Sequence, residues 1–99
     1  MKVDLERWRK FSVYEQMGNI GSEVGRAINS RDDQMRRDGA IERALDLFSA
    51  MAQCHNGRRL REILRARDEF LSLFYGDSTD YEGVERYFYQ FALAARRGR

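Results

Sequence analysis

Hydrophobic residues recur every three or four positions along almost the whole chain, the spacing that gives an α-helix one apolar stripe. The first clear stripe is Val13, Met17, Ile20, Val24, Ala27 and Ile28. Ser12 precedes it and Glu15 follows three residues later, a capping box that starts a helix. The stripe runs out in the polar cluster "NSRDD" at 29–33. A second helix opens within "DDQMRRDGA", is established by Ala40, and carries Ile41, Ala44, Leu45, Phe48 and Ala52 on one face. "HNG" at 55–57 predicts its end, because Asn-Gly readily adopts the left-handed conformation that closes a helix.

A third helix over 58–76 gathers Leu60, Ile63, Leu64, Phe70, Leu71 and Phe74, with Gly76 closing it. Thr79 and Glu82 form a second capping box ahead of a fourth helix, in which Val84, Tyr87, Phe88, Phe91 and Ala95 face one way. Leu5, Trp8 and Phe11 are spaced to lie against the other helices as a short helix or ordered arm.

No segment alternates with period two, so the expected fold class is all-α. Four amphipathic helices joined by short links pack most economically as an antiparallel four-helix bundle. Here the bundle carries a short N-terminal arm or helix (1–11) and a basic tail (96–99). The 99 residues form a single helical-bundle domain, 1–99, and a chain of this size buries about 60–65% of its unfolded surface. Proline is absent, which favours uninterrupted helices.

Three glycines disturb the first helix. Gly18, Gly21 and Gly25 fall within "MGNIGSEVGRAI", and each costs a helix interior roughly 1 kcal/mol relative to alanine. At about 100° per residue they lie side by side with Tyr14, flanking the apolar stripe. Such a strip of bare backbone lets a helix or an aromatic ring approach closely, and the dispersion contacts offset the lost propensity. The approaching group comes either from the aromatic-rich fourth helix or from a second molecule. Tyr89 and Leu93, i,i+4 neighbours away from the fourth helix's main stripe, give that helix a second apolar edge and make a subunit contact there a candidate.

Charge adds little to this picture. The net charge is +2, and sixteen of the eighteen basic residues are arginine. Arginine suits bidentate contacts to phosphate or carboxylate, although base composition or internal ion pairing also accounts for the bias. Arg58, Arg61 and Arg65 form one ridge with Arg59 beside it, and Arg96, Arg97 and Arg99 add to the basic side. These groups are candidates for phosphate contacts. Glu62 and Glu69 interrupt the same helix, the mark of a solvated charged face. Arg67 falls between Leu64 and Leu71 in the third helix's stripe, as a candidate buried charge that needs a partner; Glu23 and tyrosine hydroxyls are the candidates, with a snorkelling side chain as the plainer explanation.

Catalytic and metal chemistry find few residues to work with. The single cysteine, Cys54, excludes an intramolecular disulfide. Cys54 and His55 are adjacent, but neither a zinc-ligand set nor an orienting third group accompanies them. The glycines follow no strand and precede no Lys-Ser or Lys-Thr, so they form no nucleotide loop. No catalytic residue, cofactor or metal is expected, and the chain is not expected to be an enzyme. No apolar run approaches the roughly 18 residues of a membrane span, and "MKVDLERWRK" has no secretory apolar core. The cytoplasm is the expected location.

The stretches "EQMGNIGSEVGRAI", "AIERALDLF", "RRLREILRARDEFLSLFYGD" and "VERYFYQFALAAR" resemble an uncharacterised family of short prokaryotic all-helical proteins, from about Trp8 to Arg97. The resemblance implies a compact helical prokaryotic protein and transfers no site residue. At the level of fold class the architecture is also similar to the four-helix-bundle accessory proteins of diversity-generating retroelements, which oligomerise and bind nucleic acid. The expected function is a non-enzymatic protein–protein interaction module, as a homodimer or with another protein, using Gly18, Gly21, Gly25, Tyr89 and Leu93. The alternative is an accessory nucleic-acid-binding protein using Arg58, Arg59, Arg61 and Arg65.

Overall fold

The Ser12 hydroxyl accepts from the Glu15 N–H at 3.1 Å, and the Glu15 carboxylate accepts from the Ser12 N–H at 3.0 Å. This reciprocal cap starts the longest apolar stripe in a computed structural model that describes residues 3–97. Five helices and no strand form among the described residues: α1 (Leu5–Trp8), α2 (Val13–Asn29), α3 (Gln34–Cys54), α4 (Gly57–Tyr75) and α5 (Tyr81–Arg97). Helix α2 lies closely along both α3 and α5, whereas α4 rests chiefly on α3 and touches α5 lightly.

The α2 stripe is buried as its periodicity predicts: Met17, Ile20, Val24, Ala27 and Ile28 are all inaccessible. Opposite them, α3 buries Ala40, Ile41, Ala44, Phe48, Ala50 and Met51. Phe48 is the hub of the core. Its ring meets Phe70 of α4 at 6.2 Å and Phe88 of α5 at 6.0 Å between centroids. Aromatic contacts continue outward through Phe74 to Tyr81 on one side and through Tyr87 to Phe91 and Tyr14 on the other. Edge-on and offset ring pairs of this kind contribute beyond their buried area.

The helix ends differ from expectation in three places. Helix α3 ends at HNG as expected, but by a different residue: Asn56 is extended (φ −144°), and the left-handed residue is Gly57 (φ +58°), which opens α4. With only two residues linking α3 and α4, the reversal falls on the one residue without a side-chain penalty there. The cap of α5 is Asp80, one residue beyond Thr79: its carboxylate accepts from the Gly83 N–H at 3.0 Å, while the Thr79 carbonyl accepts from the Tyr81 N–H. Gly83 permits this closeness, since a Cβ there would stand 2.6 Å from the Asp80 carboxyl carbon. The basic tail does not begin at residue 96. Arg96 and Arg97 complete α5, where good helix formers and the favourable end of the helix dipole carry the helix onward. Arg99 lies outside the described residues.

The buried face of α4 is also rotated from the expected one. Ile63, Ala66, Phe70 and Leu73 are buried, while Leu60, Leu64 and Leu71 are only partly so. The face is set by Phe70, which must reach Phe48, and the small Ala66 allows the approach. This rotation leaves Arg67 roughly 80° from the centre of the stripe.

Helix α1 is anchored by Trp8, which is 3% exposed, and by a relay of polar groups. Gln16 of α2 is buried; its Nε2 donates to the Trp8 carbonyl at 2.9 Å, and its Oε1 lies 2.8 Å from His55 Nε2. With the amide so oriented, His55 donates through Nε2. Burial, and secondarily the Arg59 charge, lowers the imidazole pKa below 6.5. The native state therefore binds a proton less readily than the unfolded chain. The stability His55 contributes is complete above about pH 6.5 and is lost as pH falls through the lowered native value. Replacing His55 with Gln should flatten this limb of the stability–pH curve between pH 7 and 5. Chemical denaturation of both proteins across that range measures it, and identical slopes would remove His55 as the cause.

Candidate protein-interaction surface

The three glycines of α2 divide into two kinds of position. A Cβ on Gly18 would touch the Ala92 backbone at 3.5 Å, and one on Gly21 would lie 2.9 Å from the Phe88 Cβ. In both places the neighbour is α5 of the same chain: a methyl group would sit in ordinary contact at Gly18 but is excluded at Gly21. The approaching group is the body of α5, with Phe88 turning its ring to Phe48. Gly25 differs: nothing lies within 4 Å of a Cβ built there.

Along the three glycines the α2–α5 seam opens into a shallow groove of about 440 Å³. The glycines form one wall and Glu85, Tyr89, Ala92 and Arg96 line the other. Tyr89, 56% exposed, borders it. Sequence spacing treats the glycine strip and the Tyr89 edge as two surfaces, and the packing of α2 on α5 makes them one. Leu93 is partly buried and does not line the groove. Tyr14 stacks on Phe91, 6.4 Å between centroids.

The arginine candidates separate. Arg58, Arg61 and Arg65 border one cleft beside α5, shared with Glu62, Glu69 and Tyr87. Arg65 stands 3.8 Å from Glu69, and Tyr87 donates to Glu62 at 3.3 Å. Burial first, then the Glu62 charge and hydrogen bond, push the Tyr87 hydroxyl up to about 12, so it remains a neutral donor. Arg59 turns toward a separate pocket of about 210 Å³ with Tyr14, Met51 and Ile63. Carboxylates thus punctuate the ridge in space as they do in sequence.

Arg67 is not a fully buried charge. Its side chain is 39% exposed, with Nη2 3.6 Å from Asp68, although Nε is enclosed without a partner. The buried charge of the fold is Glu23, at 6% exposure. It accepts from Arg26 Nη1 at 2.6 Å and from Arg43 Nε at 2.7 Å, the latter tying α2 to α3. Both arginines reach solvent, which limits the desolvation cost of the cluster. Arg43 and Gln16 were not evident as structural groups from spacing alone. Gln16 nonetheless falls four residues before Ile20 on the core stripe, a polar residue at an apolar position.

Cys54 and His55 gather no third ligand, and no group of three potential metal ligands exists among the described residues. No helix among them is long and apolar enough to cross a membrane. Comparison with protein-family models, with curated proteins and with solved structures gave no match to this chain.

Proposed function

We propose that the chain is a non-enzymatic protein–protein interaction module, built as an antiparallel four-helix bundle with α1 as its arm, and that the α2–α5 groove is its binding surface. The pairings Gly18–Ala92 and Gly21–Phe88, in opposite chain directions, support the antiparallel arrangement of α2 and α5. The observation that carries the functional reading is an open groove lined by Gly18, Gly21 and Gly25 on one side and the half-exposed Tyr89 on the other, with nothing within 4 Å of a Cβ built on Gly25. Tyrosine offers a large contact area at low entropic cost and is enriched at the energetic centres of interfaces. An open backbone position beside it gives a partner side chain room to enter.

A photo-reactive benzoylphenylalanine in place of Tyr89 tests this in the cells that express the protein. Irradiation should give protein adducts of discrete mass. The same group in place of Met35, which is 85% exposed and outside the groove, should give at least fivefold less. Equal, diffuse labelling from both positions would refute the groove as a binding surface.

The nucleic-acid reading has one observation in its favour, the exposure of Arg58, Arg59, Arg61 and Arg65. Glu62 and Glu69 in the same cleft oppose it.

A further inference from the structure

Resting on that reading of the groove, we propose that its occupant is a second copy of this chain, with the two α5 helices paired antiparallel across a two-fold axis. The side chains along the groove wall follow an order that an antiparallel copy complements. Glu85, Tyr89, Ala92 and Arg96 are spaced by four, three and four residues, so they form one line down α5, and all four border the groove, with Arg86 and the buried Phe88 to either side of that line. Read along the helix, the line is acid, large, small, base. Read from the other end, it is base, small, large, acid. An antiparallel copy therefore sets Glu85 against the partner's Arg96 and Tyr89 against the partner's Ala92. Each match occurs twice, as a two-fold interface requires.

Both charges on this line are exposed and free to meet a partner. Glu85 and Arg96 lie eleven residues apart, about 17 Å along the helix, and neither takes part in an ion pair among the described residues. A parallel pairing would set Glu85 on Glu85 and Arg96 on Arg96, which like-charge repulsion opposes. Ala92, partly exposed where it lines the groove, offers only a methyl group there and so leaves room for the partner's Tyr89. The axis falls midway between Tyr89 and Ala92, so the two tyrosines flank it.

Reversing the charges tests the register. Glu85→Arg and Arg96→Glu alter exposed positions, and far-ultraviolet circular dichroism verifies that each variant keeps its helices. Sedimentation equilibrium should give a two-chain mass for the native protein and at least a tenfold weaker dimer for each variant alone. An equimolar mixture of the two variants should re-form a two-chain species within about threefold of native affinity, because the mixed pair restores both contacts. A native dimer whose variants show no rescue on mixing would overturn the pairing. A native protein of single-chain mass at 100 µM would overturn the second copy as occupant. In that case discrete adducts to another protein from the Tyr89 position would leave the groove reading standing, and absence of any adduct would remove both.

Discussion

Replacing Gly21 with leucine is expected to cost about 2 kcal/mol net, whereas replacing Gly25 with alanine is expected to stabilise the fold. The two residues lie one turn apart on the same strip, and helix propensity favours substitution at both by roughly 1 kcal/mol. Space separates them. A Cβ at Gly21 would stand 2.9 Å from the Phe88 Cβ, an atom fixed to the α5 backbone, so the helices must part to admit it. Overpacking of this kind costs about 1–3 kcal/mol, and the further atoms of leucine take it to the top of that range. Gly21→Ala should therefore be a net loss, and Gly21→Leu should lower Tm by about 8–16 °C, at 4–8 °C per kcal/mol. Gly25→Ala meets nothing within 4 Å and should raise Tm by about 4–8 °C. Thermal melts of the three variants decide the matter. Equal gains from alanine at both sites would mean that α5 does not seal the seam at Gly21.

Phe48→Ala should be the most damaging truncation in the core. Phe48 is 1% exposed and joins α3 to Phe70 of α4 and Phe88 of α5. Helices α4 and α5 touch only lightly, and this ring packs against both. Removing a buried phenylalanine costs about 3–5 kcal/mol, against a total stability of about 5–15 kcal/mol for a domain of ordinary size. Phe74→Ala, at a partly buried ring on the edge of the same aromatic chain, should cost less than half as much. Urea titration of both variants compares them directly, and a Phe48→Ala loss no greater than that of Phe74→Ala would contradict the hub.

Local patterns were legible in the sequence wherever one physical rule dominated. The Ser12–Glu15 cap and the α2 stripe follow from hydrogen-bond spacing and helical period alone, and both formed as expected. The α4 face was not legible in the same way. Leu60, Leu64 and Leu71 fit a helical stripe as well as Ala66 and Leu73 do, and the choice depends on where Phe70 finds Phe48. Thr79 and Asp80 are both competent caps, and the close approach allowed by Gly83 decided between them. The glycines were legible as a surface, but which of them α5 covers depends on the depth at which two helices meet. The union of Gly25 with Tyr89 in one groove is a tertiary fact with no counterpart in spacing along the chain.

Hydroxyl-radical footprinting of the tyrosines tests the groove most directly. Tyr75 and Tyr89 are both exposed in the single chain, at 70% and 56%, and should label at comparable rates in dilute purified protein. Inside the cells that express it, Tyr89 should be protected severalfold relative to Tyr75. Equal labelling of the two in both settings would contradict the assignment of the α2–α5 groove as the surface through which this protein acts.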